Sequence, residues 1–516
     1  MLVHTASQSK ITEHSPNLLP VVRELPADLE TPVSVYLKLA GEGPSFLLES
    51  VTGGEQVARY SFIGIQPSQA YVLRLCCLEK HTLQGLQTPG KQELPLPAGC
   101  DPLSVLKSEL SAYTPYPVPG LPRFSGGLVG YLSYDVLRYF EPTVPLQPHA
   151  DLPEGIFLLA DTLVAFDHAY GRLLLIANVH LNGDESADAA RQAAEARLDA
   201  IQSRLAESAS AQSAAYRLPV AKQRGQKPPS SAAGLRSNLS EAQFVQAVLQ
   251  AKEHIAAGDI FHVVLSQRLE RETDAAPFNI YRALRRLNPS PYMYFFDFNG
   301  LAGQPDFHLI GASPEMHVRL EGRKASLRPI AGTRPRGQTP AEDAALEQEL
   351  LADPKERAEH VMLVDLARND LGRVCNFGSV RVTQQMAVER YSHVMHIVSH
   401  VEGQLNPQYD AFDLLRATFP AGTVSGAPKI RAMQIIHDLE ASPRGPYAGA
   451  VGYFSYDGSS DTCITIRTLA MRGRTVSVQA GAGIVADSNP QSEYQESLNK
   501  ARALAVAIEM AEGQMK

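Results

Sequence analysis

The chain of 516 residues has no Trp and only 5 Cys, and its 47 basic side chains nearly cancel its 55 acidic ones, for a net charge of −8. So small an excess of one sign excludes a protein held to nucleic acid or to an anionic membrane by bulk charge. Sparse cysteine excludes a disulfide framework and points to a reducing compartment. No stretch approaches the roughly 18 apolar residues that a membrane-spanning helix needs. Residues 1–20 carry Lys10 and Glu13 with no apolar core, so no signal peptide is expected and the cytoplasm is the expected location. Without Trp, the largest core anchors must come from 19 Tyr and 17 Phe. What is present, 44% apolar and 20% charged residues, belongs to a folded globular protein. The length exceeds one ordinary core.

The sharpest change in composition runs from Glu207 to Asn238, rich in Ala, Ser, Gln and Lys with Pro228-Pro229 and no apolar period. It reads as a linker or long surface loop, 207–238, between an N-terminal domain, 1–206, and a C-terminal one, 239–516. Strand-like runs at 46–48, 71–75, 155–166 and 172–180 precede it, with a polar, Ala-rich helix at about 184–205. After it, Ser240 and Gln243 make a capping box, and Phe244, Val248, Ala251 and Ile255 recur at helical spacing until Gly258. Further strands are predicted at 260–265, 292–298, 394–401, 448–456, 464–470 and 475–479. Runs of strands with a few helices, rather than strict alternation, predict an α+β fold with largely antiparallel sheets.

Three motif matches fail on physical grounds. Gly481-Ala-Gly483-Ile-Val-Ala486 mimics a dinucleotide fingerprint, but the next helix starts only at Asn489-Pro490 and too little chain follows to complete a βαβ unit. Gly422 to Lys429 resembles a phosphate loop, yet Pro428 removes an N–H that would cradle phosphate. His393, His396 and His400 suggest zinc, but their β-branched surroundings favour a strand, which sets His396 and His400 about 13 Å apart.

Two helix starts look alike. Asp353-Pro354 is followed by Glu356 and Glu359, and Asn489-Pro490 by Glu493 and Glu496; in each the acids are three apart, on one helix face. Glu356 at the capping-box position behind Asp353, and Glu496 paired with Lys500 at i+4, would explain these acids structurally. Should the helices converge, they would collect four carboxylates, a set tolerable only with a cation and suited to Mg²⁺ and an anionic substrate. Arg467, alternating with apolar residues in Ile464-Thr-Ile-Arg-Thr468, is predicted to project from a strand and could fork onto a carboxylate.

The blocks Pro329-Ile-Ala-Gly-Thr-Arg334, Glu356 to Asp370, His393-Val-Met-His396, Gly422 to Lys429, Ile466-Arg-Thr468 and Gly481-Ala-Gly-Ile-Val485 occur in order between Ser240 and Met510. In them the sequence resembles the chorismate-utilising enzymes. Leu47-Leu-Glu-Ser50, Arg59-Tyr-Ser-Phe-Ile-Gly64 and Gly126-Gly-Leu-Val-Gly-Tyr131 resemble the N-terminal blocks of component I of anthranilate synthases. The resemblance implies large antiparallel sheets packed together with helices outside and an N-terminal regulatory portion. It implies Mg²⁺-dependent transfer of ammonia to C2 of chorismate with loss of the C4 hydroxyl, then elimination of pyruvate to give anthranilate, the first step of tryptophan synthesis. By similarity Glu359 and Glu496 bind Mg²⁺, with Glu356 and Glu493 holding its waters. His396 moves the proton, with Thr423 beside it, and Gly332, Thr333, Tyr447, Arg467, Gly481, Ala482 and Gly483 contact chorismate. Leu48, Glu49 and Ser50 with Pro291, Tyr292 and Met293 form a separate site for tryptophan as inhibitor. A chain that opens tryptophan synthesis and contains none of it would suit translation when tryptophan is scarce.

Two positions separate the relatives. Ala331 stands where aminodeoxychorismate synthases usually carry a nucleophilic Lys. His262 stands where isochorismate and salicylate synthases usually carry Lys and anthranilate synthases Gln. An isochorismate or salicylate synthase therefore stays open as an alternative, as does a non-catalytic tryptophan-binding subunit. None of the Cys residues sits in the G-x-C-x-G turn of a glutamine-hydrolysing nucleophile, so ammonia is expected from a separate glutamine amidotransferase subunit, in a heterotetramer of two chains of each kind.

Overall fold

In strand Ser45–Glu49, Phe46 faces one way and Leu47 the other, and both are buried. A strand buried on both faces must lie between two layers. The computed structural model describes residues 16–41, 43–51, 59–75, 77–83, 90–96, 101–149, 151–181, 187–207, 234–301, 306–391 and 394–513. Among these, two 12-stranded sheets stack face to face. The ladders that carry the candidate site are antiparallel, as the strand-rich pattern predicts.

The interlayer between the sheets is aromatic: Phe46, Phe62, Phe124, Phe296, Phe298, Phe307 and Tyr453 form one buried cluster. Ring centroids of Phe124 lie 4.4 Å from Tyr453 and 5.4 Å from Phe62. Phe and Tyr thus fill the place that Trp might have taken. The opposite faces of the same strands pack against helices: Leu47, Met293 and Phe295 against Pro32–Leu39, Pro277–Leu287 and Pro490–Ala511, and Leu128, Phe157 and Leu159 in a cluster with residues of Pro102–Ser111, Pro354–Gly372 and Ala411–Thr418. The order is helix, sheet, sheet, helix.

Both sheets mix strands from either side of the expected linker. Ser45–Glu49 pairs with Tyr292–Asp297, and Gly127–Leu132 with Ala450–Ser455. Residues 208–233 of that linker lie outside the described residues, as do Cys76, Cys100 and His393; Arg236–Ser237 already adds a short strand to His262–Glu272. The predicted helices appear as Ala187–Ala206 and Glu241–Ala256, the second with its Ser240 capping box.

Two predicted strands are in fact broken. The run 155–166 is two strands, Gly155–Ala160 and Thr162–Asp167, in different sheets. The run 464–470 also divides, because the chain leaves one sheet after Ser460–Ile464 and enters the other at Thr468–Arg472. Both runs carry apolar residues on either side of the crossing, so apolar content alone does not reveal the break.

Replacing Phe124 with Ala removes a ring with no solvent exposure from the interlayer. The change is expected to cost about 3–5 kcal/mol, read as an earlier denaturant midpoint for unfolding.

Candidate active site

An N-cap and a Pro in the first turn start both acid-bearing helices. The Asp353 carboxylate accepts from the N–H groups of Lys355 and Glu356, and the Asn489 side-chain oxygen from Ser492. Their first two turns bring Glu356, Glu359, Glu493 and Glu496 to one cavity of about 710 Å³. The capping box expected at Asp353 is half formed, because the Glu356 carboxylate turns to Arg334 at 3.2 Å. Lys500 makes the expected pair with Glu496 at 2.7 Å and donates to the Gly481 carbonyl at 3.0 Å. Burial raises the Glu359 carboxyl, helped by the charges of Glu356 and, from the other helix, Glu496. Burial and Glu496 likewise raise Glu493, against a hydrogen bond from Ser488.

Crowded carboxylates that hold their protons too tightly are the donor set a hard divalent cation relieves. Among the described residues no three acid, imidazole or thiol side chains already stand together as an ion site. Mg²⁺ needs no such cluster, since it takes one or two carboxylates and completes its shell with water and substrate oxygens.

Arg467 lies at the far pole. It is not on a strand, as its alternation suggests, but in the crossing between sheets, with a left-handed φ of 51°. Half-buried, it makes no ion pair or side-chain hydrogen bond among the described residues. Burial lowers its affinity for its proton, against the weaker pull of Tyr447 and Glu496. A guanidinium desolvated without a partner is prepared for an anion. Tyr447 lines the same end, its hydroxyl pushed up to about 12 by burial.

His396 faces the cavity from strand Val394–Gln404, opposite Thr333 of Ile330–Pro335. A bulge at Gly332, with φ 66°, turns the Gly332 carbonyl to within 2.9 Å of His396 Nδ1. A Cβ on Gly332 would stand 3.2 Å from Glu356 Oε2, so this bulge needs glycine. A carbonyl only accepts, so Nδ1 carries the hydrogen and Nε2 keeps its lone pair. Burial lowers the imidazole below its ordinary value, leaving it neutral, with a usable base, at neutral pH.

Sequence reasoning missed Glu315. This carboxyl is 8% exposed, lines the cavity and accepts from the Thr423 hydroxyl at 3.0 Å. Burial pushes it up to about 8, only partly offset by Thr423, so it is an acid with a proton to give. Its one signal was an acid between the apolar residues Ile310 to Ala312 and Met316, which reads equally well as a turn after Pro314. His262 also lines the cavity, 2.6 Å from where a Cβ on Gly483 would be. Burial, reinforced by Lys500, lowers it to about 4.

Gly332, Thr333, Glu356, Glu359, His396, Thr423, Tyr447, Arg467, Gly481, Gly483, Glu493 and Glu496 all line the one cavity. Ala482 turns its side chain to the opposite face, into a cluster with Phe244 and Val248. Leu48, Glu49, Ser50, Pro291, Tyr292 and Met293 line a separate cavity of about 50 Å³ where their strands pair. Lys429 of the rejected phosphate loop is occupied with Asp370 at 2.7 Å.

The chorismate binding enzyme family model matches residues 83–506. Anthranilate synthase component 1 of Acetivibrio thermocellus is 45% identical over 99% of both chains. The crystal structure of anthranilate synthase component I from Streptococcus pneumoniae superposes with a TM-score of 0.71 at 35% identity, covering 93% of this chain and 99% of that one. The menaquinone-specific isochorismate synthase of Escherichia coli shares the fold, with a TM-score of 0.67 at 19% identity over 96% and 95% of the two chains. With its acid helices, Arg467, His396 and Glu315 gathered at one cavity, the chain belongs to the chorismate binding enzyme family.

Proposed function

We propose that the chain converts chorismate and ammonia to anthranilate, pyruvate and water, as component I of a two-component anthranilate synthase. The polarity of the cavity carries this reading: an Arg467 guanidinium without a side-chain partner among the described residues shares it with four carboxylates. Chorismate is a dianion. Arg467 suits its enolpyruvyl carboxylate, with Tyr447 beside it, and a cation held by Glu359 and Glu496 suits its ring carboxylate. Glu356 and Glu493, one turn earlier on each helix, are placed to hold that cation's waters. Bound there, Mg²⁺ would supply charge that orients the ring and offsets the negative charge of the departing hydroxyl.

The residues of the chain move the protons. Ammonia forms the C2–N bond as the ring double bond shifts and the C4–O bond breaks. Glu315, protonated at neutral pH and held by Thr423, hands its proton to the leaving hydroxyl, which departs as water. The new ammonium nitrogen releases one proton. His396 Nε2 then takes the C2 hydrogen as a proton while the bond between the ring and the enolpyruvyl oxygen breaks, and the departing enolate takes one proton on its methylene carbon to become pyruvate. Charge and hydrogen balance with no net proton.

His262 distinguishes ammonia from water. An imidazole that binds its proton only near pH 4 is too weak a base to activate water, whereas ammonia attacks without help. This favours the anthranilate reading over an isochorismate or salicylate synthase. A purely tryptophan-binding subunit would have no use for the acid, the base and the two charged poles.

The ammonia comes from a glutaminase partner, two chains of each kind forming the assembly. The described thiols support this, since burial raises Cys77, Cys463 and, to about 11, Cys375, leaving no ready thiolate nucleophile. Tryptophan inhibits from the smaller cavity, where Ser50 Oγ is buried without a partner among the described residues. Pro291 lines both cavities, giving the two ligands a shared wall. No helix among the described residues is long and apolar enough to cross a membrane.

Chorismate, Mg²⁺ and ammonium with the purified chain should yield fluorescent anthranilate, and glutamine should replace ammonium only with the partner present. Product made without ammonium would favour water attack. Glu359→Gln should abolish the Mg²⁺-dependent turnover and keep tryptophan binding. At fixed free ammonia, the rate should climb as His396 deprotonates below its ordinary pKa and fall near pH 8 as Glu315 ionises. Glu315→Gln should lower kcat by about 10²–10⁴-fold and remove the alkaline limb. Ser50→Leu, which fills the smaller cavity, should weaken tryptophan inhibition at least about tenfold with kcat little changed.

A further inference from the structure

Beside the catalytic cavity lies a chamber of about 40 Å³ that shares Glu315, Leu363 and Thr423 with it. His317 closes another wall. The register of Met316–Glu321 against Ser460–Ile464 slips between Met316 and Val318, and such a bulge re-aims the side chain it contains. His317 is 2% exposed, with Nε2 3.3 Å from the Thr418 carbonyl. Because that carbonyl only accepts, Nε2 carries the hydrogen and Nδ1 keeps a lone pair. Nδ1 is buried and has no hydrogen-bond partner among the described residues.

The charged groups around the chamber are already engaged. Asp370 binds Lys429 at 2.7 Å, Lys429 donates to the Thr418 carbonyl at 3.1 Å, and Arg328 pairs with Glu389. Among the described residues Thr423 is the one side-chain partner of the Glu315 carboxyl. An orphaned acceptor in a space with room for about three waters calls for water as its donor. Burial lowers the imidazole to about 4, so at neutral pH it is uncharged and accepts from that water without trapping its proton.

We propose that this chamber is hydrated and reloads Glu315 with a proton in each turnover, and that His317 is the residue that positions the water. The inference rests on the reading of Glu315 as the acid. Once Glu315 has given its proton to the leaving hydroxyl, its carboxylate takes one from a chamber water, which takes one in turn from the next water and finally from solvent. The proton released by the ammonium nitrogen returns to solvent, so the cycle closes. While substrate fills the catalytic cavity, the chamber is the side from which water can reach this carboxyl.

The test uses the full chain with Mg²⁺, chorismate and saturating ammonia, in H₂O and in D₂O. His317→Leu should lower kcat about tenfold, leave the chorismate KM within about twofold, and enlarge the solvent isotope effect on kcat. His317→Asn, which keeps an acceptor near the Nδ1 position, should recover most of the rate. Ala367→Val narrows the chamber from the facing helix without touching His317 and should reproduce the slowing and the larger isotope effect; it decides the matter if His317→Leu does not fold. An unchanged kcat and isotope effect in both chamber variants would overturn the proposal. So would a loss that Asn does not rescue and that raises KM along with it. Glu315→Gln separates the two levels: if it is silent the acid assignment itself fails, and if it is inactive while the chamber variants are silent only the reservoir fails.

Discussion

The site depends on one passage of backbone between two stacked sheets. Between Ser460–Ile464 and Thr468–Arg472 the chain changes sheets, and that crossing delivers Arg467 to the cavity in a left-handed conformation. A non-glycine residue there costs about 1–3 kcal/mol, a strain sustained only where surrounding structure over-determines it. Here the surroundings do so. The Arg467 carbonyl accepts from Ala312 N–H at 3.1 Å, and Thr465 N–H donates to the Gly449 carbonyl at 2.9 Å. The aromatic interlayer fixes the spacing of the sheets and therefore the distance between Arg467 and the acid helices.

What could be read in the sequence was what local rules determine. The acid helices announced themselves through an N-cap, a Pro and two Glu three apart, because capping and face-sharing are decided within two turns. Gly332 and His396 could be named only through resemblance, since the bulge that joins them spans strands far apart in the chain. Arg467 was identified for the right chemistry in the wrong conformation, because Ile464-Thr-Ile-Arg467 alternates like a strand although the strand ends at Ile464. Glu315 and the Arg334 partner of Glu356 were invisible for a related reason: burial and ion pairing belong to the tertiary fold, and neither leaves a period in the sequence. The side chain of Ala482 illustrates the opposite limit, where strand alternation alone places it on the far face.

The same sheet geometry that builds the catalytic cavity builds the smaller one. Pairing of Met293 with Glu49 and of Tyr294 with Leu48 brings together residues more than 200 positions apart and sets Glu49 against Arg285 at 2.9 Å. A ligand in that cavity alters catalysis only by binding two arrangements of the shared wall with different affinity. Pro291, at the start of the strand that lines one cavity and in the loop that lines the other, is where such a difference is felt by both.

Burial acts in opposite directions on acids and imidazoles, and the cavity uses both. Desolvation disfavours the charged form of every group, so it raises Glu315 to about 8 and lowers His262 to about 4, with His396 shifted downward too. At neutral pH one uniform physical cause therefore leaves an acid that still holds its proton and imidazoles that lack theirs. The charged groups of the cavity are the carboxylates of the helices, with Lys355 and Lys500 beside them, and the guanidinium of Arg467. Under the proposed function, a dianionic substrate is held between a carboxylate-bound cation and the guanidinium, beside imidazoles that burial keeps neutral. Neither histidine of the cavity is then cationic at neutral pH, so neither protonates ammonia before it attacks C2. Separating charge for binding from neutrality for chemistry is what allows a proton donor and a proton acceptor to serve successive steps around one ring.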